Sequence, residues 1–293
     1  MSYRSLLAAS AALFLVGAAG AQTIPSFLLS HGNAQYGEEN LKGAPGRPEG
    51  GFSTFTTLPG GPENMSQNWW WYRTSLQGAE RSLGTMTQGS ASGNQASLRY
   101  VENGGPPNLD KTLRFDLDYT LTDLGGGSAK VRIDWKVTNL ASVGQTVDFF
   151  SYTDYDLNNS YWDDSGVFTS PNRFDVVDAN PQVTAMLLAS TAALIGWEQG
   201  AFGALRDKLV DPNVDVLTNT SPTFGPGDWT AAFQWQFELG AAGTATAMQS
   251  GWLEKQVHNP VPEPGSMVAL LVGLGAFAKR KRTKPGIVAS RRP

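Results

Sequence analysis

Strict alternation of apolar and polar side chains is the feature of this sequence that most restricts its fold. Residues 113–121 and 131–137 alternate without error, and residues 229–239 place Trp, Ala, Phe or Leu at every second position. A period of two with β-branched and aromatic residues is typical of strands that have one buried and one exposed face. These segments exclude a mainly helical fold, because a helix requires a period near 3.6.

Other segments of the chain predict further strands. We expect these strands at residues 95–101, 145–153, 166–177, 182–189, 194–197 and 246–256. The single helical candidate is a short turn at residues 203–209. Many strands without intervening helices predict a mainly β fold, a large antiparallel β-sandwich in one domain over residues 63–256.

The turn after residue 121 predicts how the first two alternating strands pair. A three-residue loop at residues 123–125, with Gly125 in the left-handed region, makes opposite charges face each other across the strands. The predicted pairs are Arg114 with Asp134, Asp116 with Arg132, and Asp118 with Lys130. A shift that sets Asp116 against Asp134 is disfavoured by charge repulsion.

The N-terminal region divides into two parts. Residues 1–21 resemble a signal peptide, with the positive Arg4, an apolar run, and small residues at Ala19 and Ala21 before a cleavage site at Gln22. The alternative is an uncleaved anchor, but the run is shorter than the ~20 residues that span a bilayer. Residues 22–62 are rich in Gly and Pro and predict an irregular lead-in, with pieces of edge strand at residues 51–57.

The C-terminal end has three parts in a fixed order. Residues 257–266 form a predicted stalk that carries Val261, Pro262, Glu263 and Pro264. Residues 267–278 are an apolar run that predicts a short transmembrane helix. Residues 279–293 predict a basic cytoplasmic tail, because positive charges stop translocation. The stop-transfer residues are Lys279, Arg280, Lys281 and Arg282.

Residues 261–282 resemble the PEP-CTERM sorting signal of exported bacterial proteins. The resemblance implies an exosortase-type processing enzyme as partner, transient anchoring in the inner membrane, and release to the cell surface or extracellular matrix. It also implies an exopolysaccharide or biofilm setting. An ordinary tail anchor is the alternative, but it leaves the Pro-Glu-Pro motif and the short apolar run unexplained.

The net charge of residues 22–262, the body of the chain, differs from that of the whole chain. The whole chain has a formal net charge of −4, but residues 22–262 hold 14 Lys or Arg and 25 Asp or Glu, a net charge of −11. An acidic body repels phosphate backbones, so we expect no nucleic-acid partner. The absence of cysteine excludes disulfides, thiolate metal sites and a Cys nucleophile.

One acidic loop is a candidate calcium site. Asp154, Asp156 and Asn158 occupy alternate positions, as in the first half of a calcium loop, and Asp163 and Asp164 follow. The later positions lack the expected Gly and Glu. Two interpretations are therefore open, an adapted calcium site or a turn built by Asx residues without any cofactor.

The run at residues 69–72 supplies the candidate sugar contacts. In a strand, Trp70 and Tyr72 point to the face opposite Trp69 and Trp71. Trp70 and Tyr72 then either stack on sugar rings or pack in the core.

No catalytic motif is evident. His31 falls in the lead-in and His258 in the stalk. A glycosidase carboxylate pair is defined by distance in space, so the sequence does not locate one. The sequence therefore predicts a non-enzymatic protein with a structural or adhesive role in the extracellular matrix. The alternative is a carbohydrate-binding module or a carbohydrate-active β-sandwich enzyme.

Overall fold

Antiparallel strands make up most of the computed structural model, which describes residues 22–41, 51–104, 112–180 and 182–261. The strands are β1 (Phe27–His31), β2 (Ala34–Glu38), β3 (Ser53–Thr56), β4 (Gln67–Thr74), β5 (Arg81–Ser82), β6 (Met86–Ser92), β7 (Gln95–Glu102), β8 (Leu113–Gly125), β9 (Ser128–Asn139), β10 (Gln145–Asp154), β11 (Asp164–Ser170), β12 (Arg173–Val177), β13 (Thr184–Ala189), β14 (Leu194–Ala201), β15 (Thr223–Gly227), β16 (Trp229–Leu239) and β17 (Met248–His258). A 3-10 turn covers Leu157–Asn159, and the helix α1 covers Phe202–Val210.

Two large sheets form the sandwich. The larger has nine strands in the order β15-β11-β12-β13-β17-β9-β8-β7-β6, and the smaller has five in the order β14-β16-β10-β4-β5. Aromatic rings fill the space between them: the ring centroid of Trp135 on β9 lies 5.4 Å from Phe149 and 5.3 Å from Trp235 on the facing sheet. The prediction of a mainly β, sandwich-like fold is confirmed.

Both terminal predictions lie outside the described residues. The signal peptide at residues 1–21 and the helix at residues 267–278 belong to the parts that the structure does not describe. Among the described residues, no helix combines the length and apolar character that crossing a membrane requires.

The lead-in is more regular than the sequence predicted. β1, β2 and β3 form a separate three-stranded antiparallel sheet within residues 22–62. Gly32 has a φ of 56° in the tight turn between β1 and β2, a conformation that glycine adopts without steric cost. The prediction of an irregular segment is thus wrong for residues 27–38, because a short glycine turn connects two strands rather than preventing them. The predicted strand within residues 51–57 is confirmed by β3.

The predicted register of β8 and β9 is also wrong. The loop lies two residues further along the chain than expected, at Gly126 and Gly127, with φ values of 60° and 79°. Two left-handed residues are what a tight two-residue hairpin needs, and the glycines supply them. As a result Asp116 faces Lys136, and Asp118 faces Asp134.

A buried polar group lies between the small sheet and the sandwich. Glu38 on β2 accepts hydrogen bonds from Tyr36 and Asn68 and, at 3.1 Å, from Tyr119. Lys255 on β17 is fully buried, and its Nζ lies 5.9 Å from the Tyr36 ring centroid with no hydrogen-bond partner among the described residues. Burial lowers the pKa of Lys255 to about 7, although the negative charge of Glu38 opposes this.

Candidate functional site

The predicted sugar contacts are buried in the core. Trp70 and Tyr72 have relative exposures of 1% and 2%, and Trp70 stacks on Phe149 with ring centroids 5.0 Å apart. Trp69 and Trp71 on the opposite face of β4 are equally buried. Of the two interpretations of Trp70 and Tyr72, core packing is confirmed and sugar contact is wrong, because both faces of this strand are covered.

The outer face of the nine-stranded sheet is polar and open. A row of directly opposed residues crosses it from Ser97 on β7 through Asp118 on β8 and Asp134 on β9 to Trp252 on β17. We call these four residues the carboxylate row. Ser97, Asp118 and Asp134 each lie between buried apolar neighbours on their strands, and Trp252 precedes the buried Leu253, so these side chains point away from the core.

The carboxylate row places two like charges opposite each other. Opposed residues on adjacent strands have Cβ atoms about 4.5–5.5 Å apart, and like charges at that distance repel. In the neighbouring rows of the same strand pair, Asp116 faces the opposite charge of Lys136, and Arg132 faces the uncharged Thr120. The Asp118 and Asp134 pair is thus the like-charge pair among these rows, and residues retained at a cost in stability are common at functional sites.

A cavity of about 430 Å³ surrounds the pair. It is lined by Asp118, Asp134, Trp135, Lys136, Ser190, Ala192, Ser250, Gly251 and Trp252. An adjoining hollow of about 200 Å³ shares Asp118 and Lys136 with it. Together they form a groove that runs across the strands of the sheet.

Neighbouring side chains hold the groups of the carboxylate row in place. The Ser97 hydroxyl donates a hydrogen bond of 2.6 Å to Asp118, and Arg132 donates one of 3.0 Å from Nε to Asp134. The Arg132 guanidinium also lies 4.7 Å from the ring centroid of Trp252. One edge of the groove thus has an aromatic ring fixed by a cation, and its floor has two oriented carboxylates.

A second hollow on the same face is less suited to chemistry. It measures about 380 Å³ and is lined by residues that include Arg173, Asp175, Met186 and His258. Asp175 is its single carboxylate, so it lacks the second carboxylate that a pair requires. His258, which also lines this hollow, is the last residue of β17 and does not lie in a stalk as predicted. Its Nδ1 lies 2.7 Å from the Ser128 hydroxyl. His31, by contrast, is at the end of β1 in the small sheet, where its Nδ1 accepts a hydrogen bond from the Asp123 backbone.

The acidic loop divides into two groups of carboxylates. Asp154 and Asp156 come together with Asp228, which precedes β16. Asp163 and Asp164 come together with Asp178, which follows β12. The Asn158 side chain is outside both sets of carboxylates, and its backbone N–H donates a hydrogen bond of 3.1 Å to the Asn64 side chain. Sequence reasoning missed Asp178 and Asp228, because they are far from the loop along the chain.

The electrostatics of the loop disfavour charged carboxylates. Desolvation raises the pKa of Asp164 to about 8 and that of Asp156 to about 6, and neighbouring aspartates add to both rises. The pKa of Asp154 is raised well above its ordinary value for the same reasons, and Arg206 opposes that rise. Such a set is either partly protonated or neutralised by a cation.

The same loop exposes two aromatic rings. Tyr161 and Trp162 have relative exposures of 55% and 62%, and their ring centroids are 4.5 Å apart in an edge arrangement. Exposed aromatic rings are the type of surface that stacks on a sugar. This pair, rather than Trp70 and Tyr72, is accessible from solvent.

Comparison with known proteins yields only distant structural similarity. No family model and no curated relative matches this sequence. A galactose mutarotase-like protein from Lactobacillus casei is 10% identical, with 80% of this chain and 100% of that chain covered and a TM-score of 0.47. The Slr1438 protein from Synechocystis is 9% identical, with 81% and 97% covered and a TM-score of 0.46. A bacterial glucoamylase crystallised with acarbose is 10% identical, with 87% of this chain and 36% of that chain covered and a TM-score of 0.48.

These comparisons correct the functional prediction made from the sequence. The similar structures are a mutarotase-like protein and a glucoamylase, so the prediction of a non-enzymatic protein with a structural or adhesive role is contradicted. The carbohydrate alternative agrees better with them.

Proposed function

We propose that this chain is a carbohydrate-active β-sandwich protein that cleaves a glycosidic bond in the groove above β8, β9 and β17. The observation that carries the proposal is the direct opposition of Asp118 and Asp134 on the floor of the cavity. Two carboxylates flanking one bond are the general requirement of glycoside hydrolysis.

The groove has a surface suited to a sugar ring. Trp252 lies at the end of the carboxylate row, and a sugar ring stacked on the indole face that Arg132 leaves open would lie beside Asp134. Lys136, Ser190 and Ser250 line the same cavity and offer donors and acceptors to hydroxyl groups. The groove continues past Asp118 toward Arg99, which leaves room for a second sugar unit.

The spacing of the pair favours a two-step reaction that retains the anomeric configuration. Opposed residues on adjacent strands have Cβ atoms about 4.5–5.5 Å apart, which lets both carboxyl groups reach the separation of about 5–5.5 Å that a retaining enzyme needs. One carboxylic acid gives its proton to the glycosidic oxygen as the anomeric C–O bond breaks, and the other carboxylate bonds the anomeric carbon. Water then displaces that carboxylate and gives a proton back to the first.

The proposal is tested with the purified full chain. A panel of nitrophenyl α- and β-glycosides reports turnover, and a glycan array reports binding. We expect Asp118→Asn and Asp134→Asn to lower turnover by about 10²–10⁴-fold with sugar binding retained, and Trp252→Ala to weaken binding. Asp175→Asn, on the same face but outside the cavity, is the matched control.

Each result has a definite meaning. Sugar binding without turnover by the unaltered chain would favour the second candidate, a carbohydrate-binding module. Turnover unaffected by both Asp variants would show that the site is elsewhere. The absence of both binding and turnover over the whole panel would contradict the proposal.

We further propose that the protein is exported and processed by an exosortase-type enzyme, and that it meets exopolysaccharide at the cell surface. The support is the order of features at residues 261–282 and at residues 1–21. Peptide mass spectrometry of protein recovered from the culture medium tests this. We expect an N-terminus at Gln22 and loss of the residues that follow the Pro-Glu-Pro motif. Recovery of the intact chain would contradict it.

A further inference from the structure

The ends of both large sheets meet at the two carboxylate groups. Asp154 is the last residue of β10 in the five-stranded sheet, and Asp164 is the first residue of β11 in the nine-stranded sheet. Asp164 pairs with Gly227, whose next neighbour in the chain is Asp228. The two groups are thus adjacent, and each takes two residues from the loop and one from a distant strand end.

The oxygen atoms in each group are close enough to share one ion. In each group, one carboxylate oxygen from each of the three residues lies within 4.8 Å of the others. Two oxygens that bind the same Ca²⁺ at 2.3–2.6 Å are at most about 5 Å apart. The geometry therefore needs no large movement of the chain to accommodate an ion.

Buried oxygen atoms without partners are the second observation. Asp154, Asp164 and Asp178 are almost completely buried, and each has one carboxylate oxygen with no hydrogen-bond partner among the described residues. Gln67 on β4 pairs directly with Asp154 on β10 and is 6% exposed. Its side-chain carbonyl oxygen also has no hydrogen-bond partner among the described residues. An unpartnered buried oxygen costs free energy, which a bound cation would recover.

The loop is held by groups that are not ligands. Tyr155 is buried, stacks on Trp229 with ring centroids 5.7 Å apart, and donates a hydrogen bond of 3.1 Å to the Met186 carbonyl. Leu157 is also buried, and its backbone N–H donates to Asp164. The carboxylates are therefore positioned by packing that does not depend on their mutual interaction.

We propose that the two groups bind two Ca²⁺ ions, one held by Asp154, Asp156 and Asp228 and the other by Asp163, Asp164 and Asp178. Gln67 offers a neutral oxygen to the first ion. The donors are all oxygen atoms, with no His or Cys in either group, which is the ligand chemistry of hard cations. The ions would join the strand ends of the two sheets and hold the loop that exposes Tyr161 and Trp162.

Calorimetry of the full chain tests the stoichiometry. The protein is treated with EGTA, desalted and titrated with CaCl₂ in the presence of MgCl₂, and we expect two equivalents to bind. Asp228→Asn and Asp178→Asn should each reduce the number to one, because each removes a ligand from a different group. Glu238→Gln, an exposed residue at the far end of β16, should leave two.

Thermal unfolding separates loss of the ion from loss of the fold. We expect saturating CaCl₂ to raise the Tm of the unaltered chain by about 5 °C or more. Without calcium, Asp228→Asn and Asp178→Asn should melt no lower than the unaltered chain, because each relieves repulsion; with calcium they should melt lower. If either variant does not fold, Asp156→Asn and Asp163→Asn test the same two groups at less buried positions.

Three results would overturn the proposal. These are the absence of both heat and a Tm shift at 10 mM CaCl₂, a single equivalent for the unaltered chain, and two equivalents in variants of both groups. None of them bears on glycoside cleavage, which is tested in a different part of the molecule.

Discussion

Replacing Asp118 by Asn should stabilise the protein while removing its activity. Asp118 faces Asp134, whose side chain is 54% exposed. Two unit charges about 5 Å apart in water repel by about 0.8 kcal/mol, and cross-strand like-charge pairs cost about 0.2–1 kcal/mol. Asn keeps an oxygen that accepts the hydrogen bond from Ser97, so little else is lost. We expect a gain of about 0.2–1 kcal/mol in the free energy of unfolding.

Asp116, two residues earlier on the same face, is the matched control. Its carboxylate lies 2.6 Å from Arg99, 3.0 Å from Arg114 and 3.6 Å from Lys136, and its side chain is 10% exposed. Hydrogen bonds to charged groups contribute about 1.5–3 kcal/mol, so Asp116→Asn should destabilise by about that amount. The same chemical change thus has opposite signs at two neighbouring positions.

Urea unfolding followed by tryptophan fluorescence measures both effects. The midpoint should rise for Asp118→Asn and fall for Asp116→Asn at an unchanged slope. In 0.5 M NaCl the gain at Asp118 should shrink, because salt screens exposed charges. A fall in the midpoint for Asp118→Asn comparable to that for Asp116→Asn would refute the reasoning that Asp118 is retained for function at a cost in stability.

Three further predictions follow from burial and backbone geometry. Below pH 7, Lys255→Met should be more stable than the unaltered chain by up to about 5 kcal/mol. The reason is that burial lowers the pKa of the native lysine to about 7, whereas the lysine of the unfolded chain keeps its ordinary pKa and binds a proton more tightly. The stability of the unaltered chain relative to Lys255→Met should therefore rise between pH 7 and about 10.5; urea midpoints over pH 6–10 that differ by a constant amount would contradict this. Trp70→Ala should cost about 3–5 kcal/mol and Trp162→Ala less than about 0.5, measured by thermal unfolding, because only Trp70 is buried. Gly127→Ala should destabilise by more than Gly126→Ala, since both have positive φ but a Cβ at Gly127 would lie 1.8 Å from the Asn259 carbonyl oxygen; equal midpoints in urea would disprove it.

The sequence predicted the parts of the site that are close together in the chain. The acidic loop is visible because Asp154, Asp156, Asp163 and Asp164 occur within eleven residues. Asp178 and Asp228 are added only when β12 and β16 are folded beside that loop. The sequence did not predict the carboxylate row, because the predicted loop lies two residues before the observed one. With the predicted loop, Asp118 pairs with Lys130; in the structure it pairs with Asp134.

Local pattern and long-range packing thus determined different properties of this protein. Alternation by itself determined that residues 113–121, 131–137 and 229–239 are strands, because a period of two is a property of the strand alone. It did not distinguish Trp70 from an exposed aromatic, since burial depends on what covers a face, and here β4 is covered on both faces. Only the tertiary structure decided the register at Gly126 and Gly127, and through it the opposition of Asp118 and Asp134. A turn of consecutive glycines permits several positions for the loop, and the packing of the whole sheet selects one.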